Sequence, residues 1–509
     1  MPAESRPDPR SRSLTLSRRA ARLAALAAGV LLLAIPPGAS PARAGDDHDL
    51  SAQLRRIITS QPVAGSRASV QVLDSITGES LYAHSPDLML KPASNMKLLT
   101  AAAALSLLRP EYVFKTRFYA AAAPGADGVV KGDLYIKGGG SPGLVGEDWW
   151  QIARHLRALG VKKIEGALVG DDTFFDDIHR GPGWPSSNVD NPYNAPVSAL
   201  SCFFNAVAVT VRPGAPGRAP EVFLEPFDGF FEIANSAVTS GRGRNVRVSR
   251  TWNGEKNVIH VSGRIGVDTR PFTTYKSVET PTLYALNAFR EAAAREQIVI
   301  AGPSRRGSVP AKAHLVWTHE SRPLAQVVRD MNKESNNFMA ESILKTIGAE
   351  QLGAPGTTAK GAQVVTSWLQ SLGVATAGIV IADGSGLSSD NRLSADALAR
   401  VLRATFADFQ SAPEFVASLP VGGIDGTLDG RMVETPAMRN IRAKTGFIRG
   451  VTSLSGYALN QGGRRLVFSV LLNDLGDRVW EGSRSVDRIC NALVVTEISD
   501  PAPPSAPGG

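Results

Sequence analysis

The chain has 509 residues with a net charge of +8, and 43% of its residues are hydrophobic, which is ordinary for a globular protein of two or three domains. No block of lysine and arginine is interleaved with aromatic residues, so the composition argues against a nucleic-acid partner. The positive charge instead suits an anionic substrate or peripheral association with an anionic membrane.

The first 44 residues have the pattern of a secretory signal peptide. Arginines between Arg10 and Arg22 precede the apolar run LAALAAGVLLLAI, and PARA, which ends at Ala44, is typical of a cleavage site. An uncleaved amino-terminal anchor is the alternative, although the run is short for a membrane span. The paired arginines in SRRAARL leave both general secretion and the twin-arginine route open. We expect export to the periplasm.

A β-hairpin followed by a helix is predicted next. SVQVLD and SLYAH alternate in polarity on either side of a Thr-Gly turn. KPASNMKLLTAAAAL, residues 91–105, then has a helix start near Ser94 and good helix formers from Met96, and the run ends before Pro110.

Residues 111–310 are predicted to form a β-rich block. Short strand-like runs such as VFKTRFYA and AVAVTVRP are separated by turn clusters such as RPGAPGRAP. Helical patterns occur in the block near 147–159 and 282–296.

Helical periodicity returns after residue 320. Apolar residues at helical spacing predict two helices on either side of the polar run NKESNN, which should be a tight turn. Ser394 is predicted to cap a further helix. The runs NIRAKTGF, SLSGYAL and RLVFSVLLN predict an antiparallel meander, which a helix over 483–496 and a disordered tail over 499–509 follow.

Ser94 and Lys97 are three residues apart at the start of a mostly apolar helix, so their side chains share one face. A serine becomes a nucleophile when a base takes its proton, and a lysine whose pKa is lowered can be that base. We expect burial to lower the pKa of Lys97. Repulsion from Lys444, in a motif described below whose geometry places it across the same cleft, should lower this pKa further. Taken alone, the pair also fits a capping serine and a lysine that extends its charged end to water.

Two further motifs follow in the chain. SNN, residues 335–337, lies in the turn between two helices, and KTG, residues 444–446, lies near the end of a strand. Alone, the first also fits a capped turn and the second an exposed strand end. With the S-x-x-K of residues 94–97 they form, in order, the signature of penicillin-binding proteins and β-lactamases.

Other candidates for chemistry are interpreted as structural. GGSPG, residues 139–143, matches a nucleophile elbow, but Pro142 has no backbone N–H for the oxyanion hole that such an elbow needs. Cys202 and Cys490 lie in apolar runs, which favours two buried free thiols, although an exported protein can also oxidise such a pair.

The chain resembles the class C low-molecular-mass penicillin-binding proteins, the D-Ala-D-Ala carboxypeptidase/endopeptidase family. DGSGLSSDNRLS, LPVGGIDGTLDGR and SLSGYAL are similar to segments of the family's catalytic domain, and GDLYIKGGGSPGL and GDDTFFD to its inserted domains. The resemblance implies a mixed α/β (α+β) fold of the serine β-lactamase/DD-peptidase type, an antiparallel sheet with helices. The catalytic domain would comprise residues 45–110 and 311–498, interrupted by the β-rich insertion of residues 111–310.

Carried over by motif, the resemblance implies roles for individual catalytic residues. Ser94 would be the acylated nucleophile, and Lys97 would be the base that activates it. Ser335 would relay a proton to the leaving D-alanine, and Asn337 would hold the substrate amide.

The strand motif would bind the end of the substrate. Lys444, counted with the catalytic residues, and Thr445 would bind the terminal carboxylate. Gly446 would allow a ligand to approach the backbone closely. The backbone N–H groups of Ser94 and Phe447 would form the oxyanion hole.

The chain departs from the family pattern at three positions. Phe447 stands where the family usually has a small hydroxyl residue, so a contact to the carboxylate would be lost. Asn336 and Ser141 stand where aspartate is common, and we expect the Asn336 side chain to point away from the site.

These residues imply a serine DD-peptidase that cleaves D-Ala-D-Ala ends and D-alanyl cross-links of peptidoglycan stem peptides through an acyl-enzyme. β-Lactams would be covalent inhibitors, and no metal or organic cofactor is implied. The alternatives are a β-lactamase or esterase of the same fold and a catalytically weak peptidoglycan-binding protein. Because the predicted catalytic residues lie outside residues 111–310, we expect acylation by penicillin not to need that block.

Overall fold

The computed structural model describes residues 49–227 and 229–497, so the predicted signal peptide and tail lie outside the described residues. The helices are α1 (Leu50–Thr59), α2 (Met96–Leu107), α3 (Gly146–Ala158), α4 (Pro281–Arg295), α5 (Leu324–Glu334), α6 (Asn337–Leu352), α7 (Thr358–Ser371), α8 (Ala395–Ala407), α9 (Ala412–Ser418) and α10 (Val479–Val495). Among these helices, none is both long and apolar enough to cross a membrane.

The strands fall in three stretches of the chain, near its amino-terminal end, in the middle and near its carboxyl-terminal end. They are β1 (Arg67–Asp74), β2 (Ser80–His84), β3 (Lys115–Ala120), β4 (Val129–Val130), β5 (Leu134–Lys137), β6 (Lys163–Ile164), β7 (Leu168–Asp171), β8 (Ala206–Arg212), β9 (Glu221–Glu225), β10 (Phe231–Asn235), β11 (Val238–Thr239), β12 (Arg244–Trp252), β13 (Asn257–Ile265), β14 (Phe272–Ser277), β15 (Val299–Ile300), β16 (Ser304–Arg306), β17 (His314–Glu320), β18 (Ile441–Ile448), β19 (Val451–Leu459) and β20 (Arg465–Asn473).

An antiparallel sheet of order β18-β19-β20-β1-β2 brings the two outer stretches together. Strand β1 pairs with β20, with Arg67 opposite Asn473 and Asp74 opposite Leu466. Both β19 and β20 are buried along almost their whole length, because helices cover both faces of the sheet. The predicted hairpin, meander and mixed fold are confirmed.

Helix α2 is the central helix on one side of this sheet. Every residue from Met96 to Leu105 is buried, and helices α5, α6 and α8 pack around it. Its run of four alanines allows neighbouring helices to approach closely while keeping high helix propensity. Helices α1 and α10 pack on the opposite face of the sheet. A lysine between Met96 and Leu105 of α2 therefore lies in the buried part of the helix.

The middle of the chain is rich in short strands, as predicted, with α3 and α4 within one residue of their expected positions. The strands form several small sheets, and the largest has the order β16-β7-β5-β3-β17. Strand β17 pairs antiparallel with β3, so this sheet extends to Glu320. The division into domains remains a prediction.

Some local predictions need correction. Helix α5 continues to Glu334, so the turn inside NKESNN is shorter than expected, and α10 begins at Val479 rather than at residue 483. The last turn of α5 is stabilised because the Met331 carbonyl oxygen accepts a hydrogen bond from the backbone N–H of Asn336. Cys202 and Cys490 are buried free thiols in separate apolar clusters, as predicted.

Candidate active site

The nucleophile candidate lies at the mouth of α2. Ser94 is in a short 3₁₀ turn, Ala93–Asn95, that leads directly into the helix, and its side chain is partly exposed. Lys97, in the first turn of α2, is completely buried, and its Nζ lies 2.9 Å from Ser94 Oγ. The three-residue spacing therefore places a lysine nitrogen within hydrogen-bond reach of a serine that solvent can approach.

Two acceptors from distant parts of the chain complete the surroundings of the Lys97 amine. Nζ donates to Asn337 Oδ1 at 2.6 Å and to the Ser385 carbonyl oxygen at 2.7 Å. The amide nitrogen of Asn337 donates in turn to the Tyr193 carbonyl oxygen at 2.9 Å. These bonds hold the amine toward Ser94.

A second buried lysine comes from strand β18. Lys444 Nζ donates to Ser335 Oγ at 2.8 Å and to the Thr445 carbonyl oxygen at 2.9 Å. Ser335 is the single residue between α5 and the cap of α6, and it takes a left-handed conformation with φ of 56°. The sharp turn directs its hydroxyl to the strand, so all five predicted catalytic side chains meet in one cluster.

Strand β18 runs directly beside the turn that carries Ser94. A Cβ on Gly446 would lie 2.1 Å from Ser453 Oγ, 2.8 Å from the Pro92 carbonyl oxygen and 3.0 Å from the Ser94 nitrogen. The protein's own backbone therefore requires glycine here, and closeness to a ligand remains a prediction. The Asn95 side-chain amide links the Ser94 turn to β18 by donating a hydrogen bond to the Lys444 carbonyl oxygen at 2.7 Å.

Burial shifts the pKa of both lysines. Burial lowers the pKa of Lys97 to about 7, although the nearby Asp383 carboxylate acts in the opposite direction. Burial also lowers the pKa of Lys444 well below its usual value, and the charge of Lys97 adds to that shift. The expected burial and the expected repulsion between the charges of Lys97 and Lys444 are both present, whereas the opposing Asp383 carboxylate was not expected.

The other motif residues make contacts at the edge of the cluster. Thr445 Oγ1 is 2.7 Å from Thr427 Oγ1. The Phe447 ring is 49% exposed, and its centroid lies 5.1 Å from that of the Trp480 ring. Asn336 accepts a hydrogen bond from the backbone N–H of Met339 and so caps α6. The Asn336 side chain is therefore bonded to the start of α6 and not to the catalytic cluster.

Sequence reasoning assigned no role to Asp383, which is completely buried behind Lys97. This carboxylate holds the loop of residues 383–391, whose Ser385 carbonyl receives the Lys97 hydrogen bond. A signal was present, because an aspartate followed by glycine and serine residues in DGSGLSS is typical of a loop folded around a carboxylate.

Two hydrogen bonds tie the β-rich block to the cluster. Asn337 donates to the carbonyl of Tyr193, and the indole nitrogen of Trp184 donates to Asp383 Oδ2 at 2.6 Å. These contacts argue against the expectation that acylation does not need residues 111–310.

A buried lysine beside a partly exposed serine, a second serine–lysine pair and an antiparallel sheet with helices form the arrangement that penicillin-binding proteins and serine β-lactamases share. Residues 50–491 match the model of the D-Ala-D-Ala carboxypeptidase 3 (S13) family, and the chain belongs to that family. The resemblance to class C low-molecular-mass penicillin-binding proteins is confirmed.

Relatives and solved structures agree with this assignment. The D-alanyl-D-alanine carboxypeptidase of Actinomadura sp. (strain R39) is 37% identical over 494 residues, which cover 92% of this chain and 90% of the relative. D-alanyl-D-alanine carboxypeptidase DacB of Haemophilus influenzae is 27% identical, with 75% of this chain and 80% of the relative covered. The crystal structure of penicillin-binding protein 4 (dacB) from Haemophilus influenzae has the same fold, with a TM-score of 0.75 at 23% identity, covering 86% of this chain and 98% of that one.

Proposed function

We propose that Ser94 forms an acyl-enzyme with the penultimate D-alanine of peptidoglycan stem peptides and that Lys97 is the base of this step. The observation that carries the proposal is the 2.9 Å contact between Lys97 Nζ and Ser94 Oγ at a lysine whose pKa is lowered to about 7. At neutral pH a large fraction of such a lysine is neutral and able to accept a proton.

Acylation begins when the neutral Lys97 amine takes the Ser94 proton and Oγ attacks the carbonyl carbon of the penultimate D-alanine. The carbonyl oxygen becomes negative and is stabilised by the backbone N–H groups of Ser94 and Phe447. The intermediate collapses when the C–N bond to the terminal D-alanine breaks and its electron pair moves to the leaving nitrogen.

Ser335 supplies the proton that the leaving nitrogen needs. Its Oγ already accepts a hydrogen bond from Lys444 at 2.8 Å, so its own hydrogen is free to point to the leaving group. Ser335 recovers a proton from the Lys97 ammonium. Water then attacks the ester, Lys97 again accepts a proton, and Ser94 leaves as the shortened peptide acid is released.

The family match supports the substrate class. Lys444 and Thr445 bind the terminal carboxylate of D-Ala-D-Ala in the carboxypeptidase reaction. Cleavage of D-alanyl cross-links is the same reaction with an amine of a neighbouring stem peptide as the leaving group. With a β-lactam, the leaving nitrogen stays tethered to the ester, so the acyl-enzyme persists.

The expected cellular location of the protein is consistent with a role in peptidoglycan cleavage. The signal-peptide pattern of residues 1–44 supports export to the periplasm, where stem peptides are found. Residues 1–44 hold seven arginines, one aspartate and one glutamate, so +5 of the net charge of +8 lies there and the exported chain would carry +3. Peripheral association with an anionic membrane would depend on that remaining charge, and co-sedimentation with anionic vesicles measures it.

Labelling with a fluorescent penicillin tests the proposal. We expect one covalent label on the folded protein, a peptide map that places it at Ser94, and complete loss of label in Ser94→Ala. Ser106→Ala, a serine near the other end of the same helix, is the matched control and should label normally. Absence of label on the folded wild type, or a label elsewhere, would contradict the proposal.

Product analysis separates the alternatives. Release of D-alanine from a pentapeptide and cleavage of cross-linked muropeptides measure the two peptidase reactions. Rapid turnover of nitrocefin would instead indicate a β-lactamase, and binding of peptidoglycan without any label would indicate a catalytically weak wall-binding protein.

A further inference from the structure

The Asp383 carboxylate is the centre of a loop that lies directly behind the reacting residues. It is completely buried. Its two oxygens accept hydrogen bonds from the backbone N–H groups of Ser385, Gly386 and Ser388, from the Ser385 hydroxyl, from the Asn391 amide and from the Trp184 indole.

Trp184 is the donor in this set that comes from outside the loop. Its Nε1 lies 2.6 Å from Asp383 Oδ2, and the ring is only 9% exposed. Gly181 makes room for the indole, because a Cβ there would lie 2.5 Å from Nε1. The β-rich block therefore supplies one buried, directed hydrogen bond to this carboxylate.

The loop contacts both members of the Ser94–Lys97 pair. The Ser385 carbonyl oxygen accepts from Lys97 Nζ at 2.7 Å. Gly386 has φ of 84°, and a Cβ there would lie 1.8 Å from the Ala93 carbonyl oxygen, next to Ser94. A small movement of the loop would therefore displace both the nucleophile turn and the base.

We propose that Trp184 is a positioning residue for acylation. Its indole N–H orients the Asp383 carboxylate. That carboxylate holds the Ser385 carbonyl oxygen against Lys97 Nζ, and its negative charge acts on the Lys97 amine. This inference rests on the proposed role of Lys97 as the base. It assigns to the β-rich block a direct part in the chemistry of the site.

The electrostatic part of the proposal has a definite sign. Asp383 favours the protonated form of Lys97, and each hydrogen bond that the carboxylate accepts disperses its charge and weakens this effect. Lys444 on β18 also acts on Lys97, whereas Glu341 on α6, which accepts from the Gly384 N–H, acts on Asp383, and Lys345 acts on Glu341 and pairs with Asp176. Loss of the Trp184 donor should therefore raise the pKa of Lys97.

Trp184→Phe keeps an aromatic side chain but removes the indole N–H donor and part of the buried ring volume. We expect the plateau of the acylation rate with a fluorescent penicillin to fall roughly tenfold, as for loss of one hydrogen bond to a charged group. We also expect the acid limb of the rate to move to higher pH. Trp368→Phe is the matched control, because Trp368 is 8% exposed in the same cluster and donates to Ser106 away from the site.

The proposal is overturned if Trp184→Phe behaves like Trp368→Phe, or if its plateau falls while its acid limb stays in place. If Trp184→Phe does not fold, Asp383→Asn decides: loss of the carboxylate charge should move the acid limb to lower pH by about one unit, and an unmoved limb would reject the proposal. Failure of the wild type to label at Ser94 would instead reject the proposed function, so the two failures are distinguishable.

Discussion

Two completely buried lysines meet at one cluster but have different surroundings. Lys97, on the central helix, donates to Ser94, Asn337 and a loop carbonyl, and a buried carboxylate lies close enough to influence its charge. Lys444, on the edge strand, donates to Ser335 and to the backbone of its own strand. Among the described residues, neither lysine has a carboxylate within ion-pair distance, but Asp383 influences Lys97 from farther away.

The difference explains how two identical side chains can do different work. The internal anion near Lys97 limits the effect of burial, so its pKa stays near 7 and both protonation states are accessible. Among the described residues no such anion acts on Lys444, whose pKa is lowered well below its usual value by burial and by the charge of Lys97. We infer that the terminal carboxylate of the substrate is the anion that completes the environment of Lys444.

Replacing the base should have the largest effect. Lys97→Arg keeps a positive charge but cannot lose its proton, so acylation by penicillin should fall by about 10²–10⁴-fold with the fold intact. Lys345→Arg is the control, since Lys345 is equally buried but pairs with Asp176. A near wild-type rate in Lys97→Arg would mean that another group is the base.

The pH dependence of wild-type acylation should report the pKa of Lys97. Acylation needs the neutral amine, so the rate should be flat above pH 7 and fall about tenfold per pH unit below it. Glu341 is the necessary control, because burial and the Asp383 charge raise its pKa to about 7 as well. Glu341→Gln should keep the acid limb; loss of the limb in that variant would assign it to Glu341.

Removing the second lysine should affect carboxylate recognition. Lys444→Met should lower kcat/KM for a peptide with a free D-alanine carboxylate by about 10–100-fold, the cost of one bond between charged groups. The same peptide ending in an amide should lose much less. Equal losses for both peptides would show that Lys444 does not bind the carboxylate.

A change at Phe447 should sharpen this recognition by a smaller amount. Phe447→Thr places a hydroxyl on the same face of β18 as Thr445, the other proposed carboxylate-binding residue, and should raise kcat/KM for D-Ala-D-Ala peptides by up to about tenfold. It also removes the ring contact with Trp480, at a cost of about 0.5–1.5 kcal/mol in the free energy of unfolding. Trp480→Ala should lose similar stability without the gain in activity; lower activity in Phe447→Thr would reveal a positive role for the ring.

Local sequence signals were sufficient to place each motif on its element. Helix formers after Ser94, the polar turn at Ser335 and alternating apolar residues around Lys444 each report the backbone conformation of a short segment. Burial of Lys97 was also predictable, because its helix is apolar on all sides.

The partners of these residues were not predictable in the same way. Asp383, Trp184 and Tyr193 reach the cluster from segments with ordinary loop composition, and Trp184 bonds Asp383 across 199 positions of the chain. No local pattern records such a contact. For the same reason the sequence did not reveal the Asp383 carboxylate, which opposes the effect of burial on Lys97.

By itself, the sequence determined the type of chemistry, because three motifs of the penicillin-binding and β-lactamase signature occur in order and the first puts a lysine one helix turn from a serine. Only the tertiary structure decided which groups surround that lysine. Its contact with Asn337 joins residues 240 positions apart, and its pKa depends on charges and burial that exist only after the sheet and helices have packed.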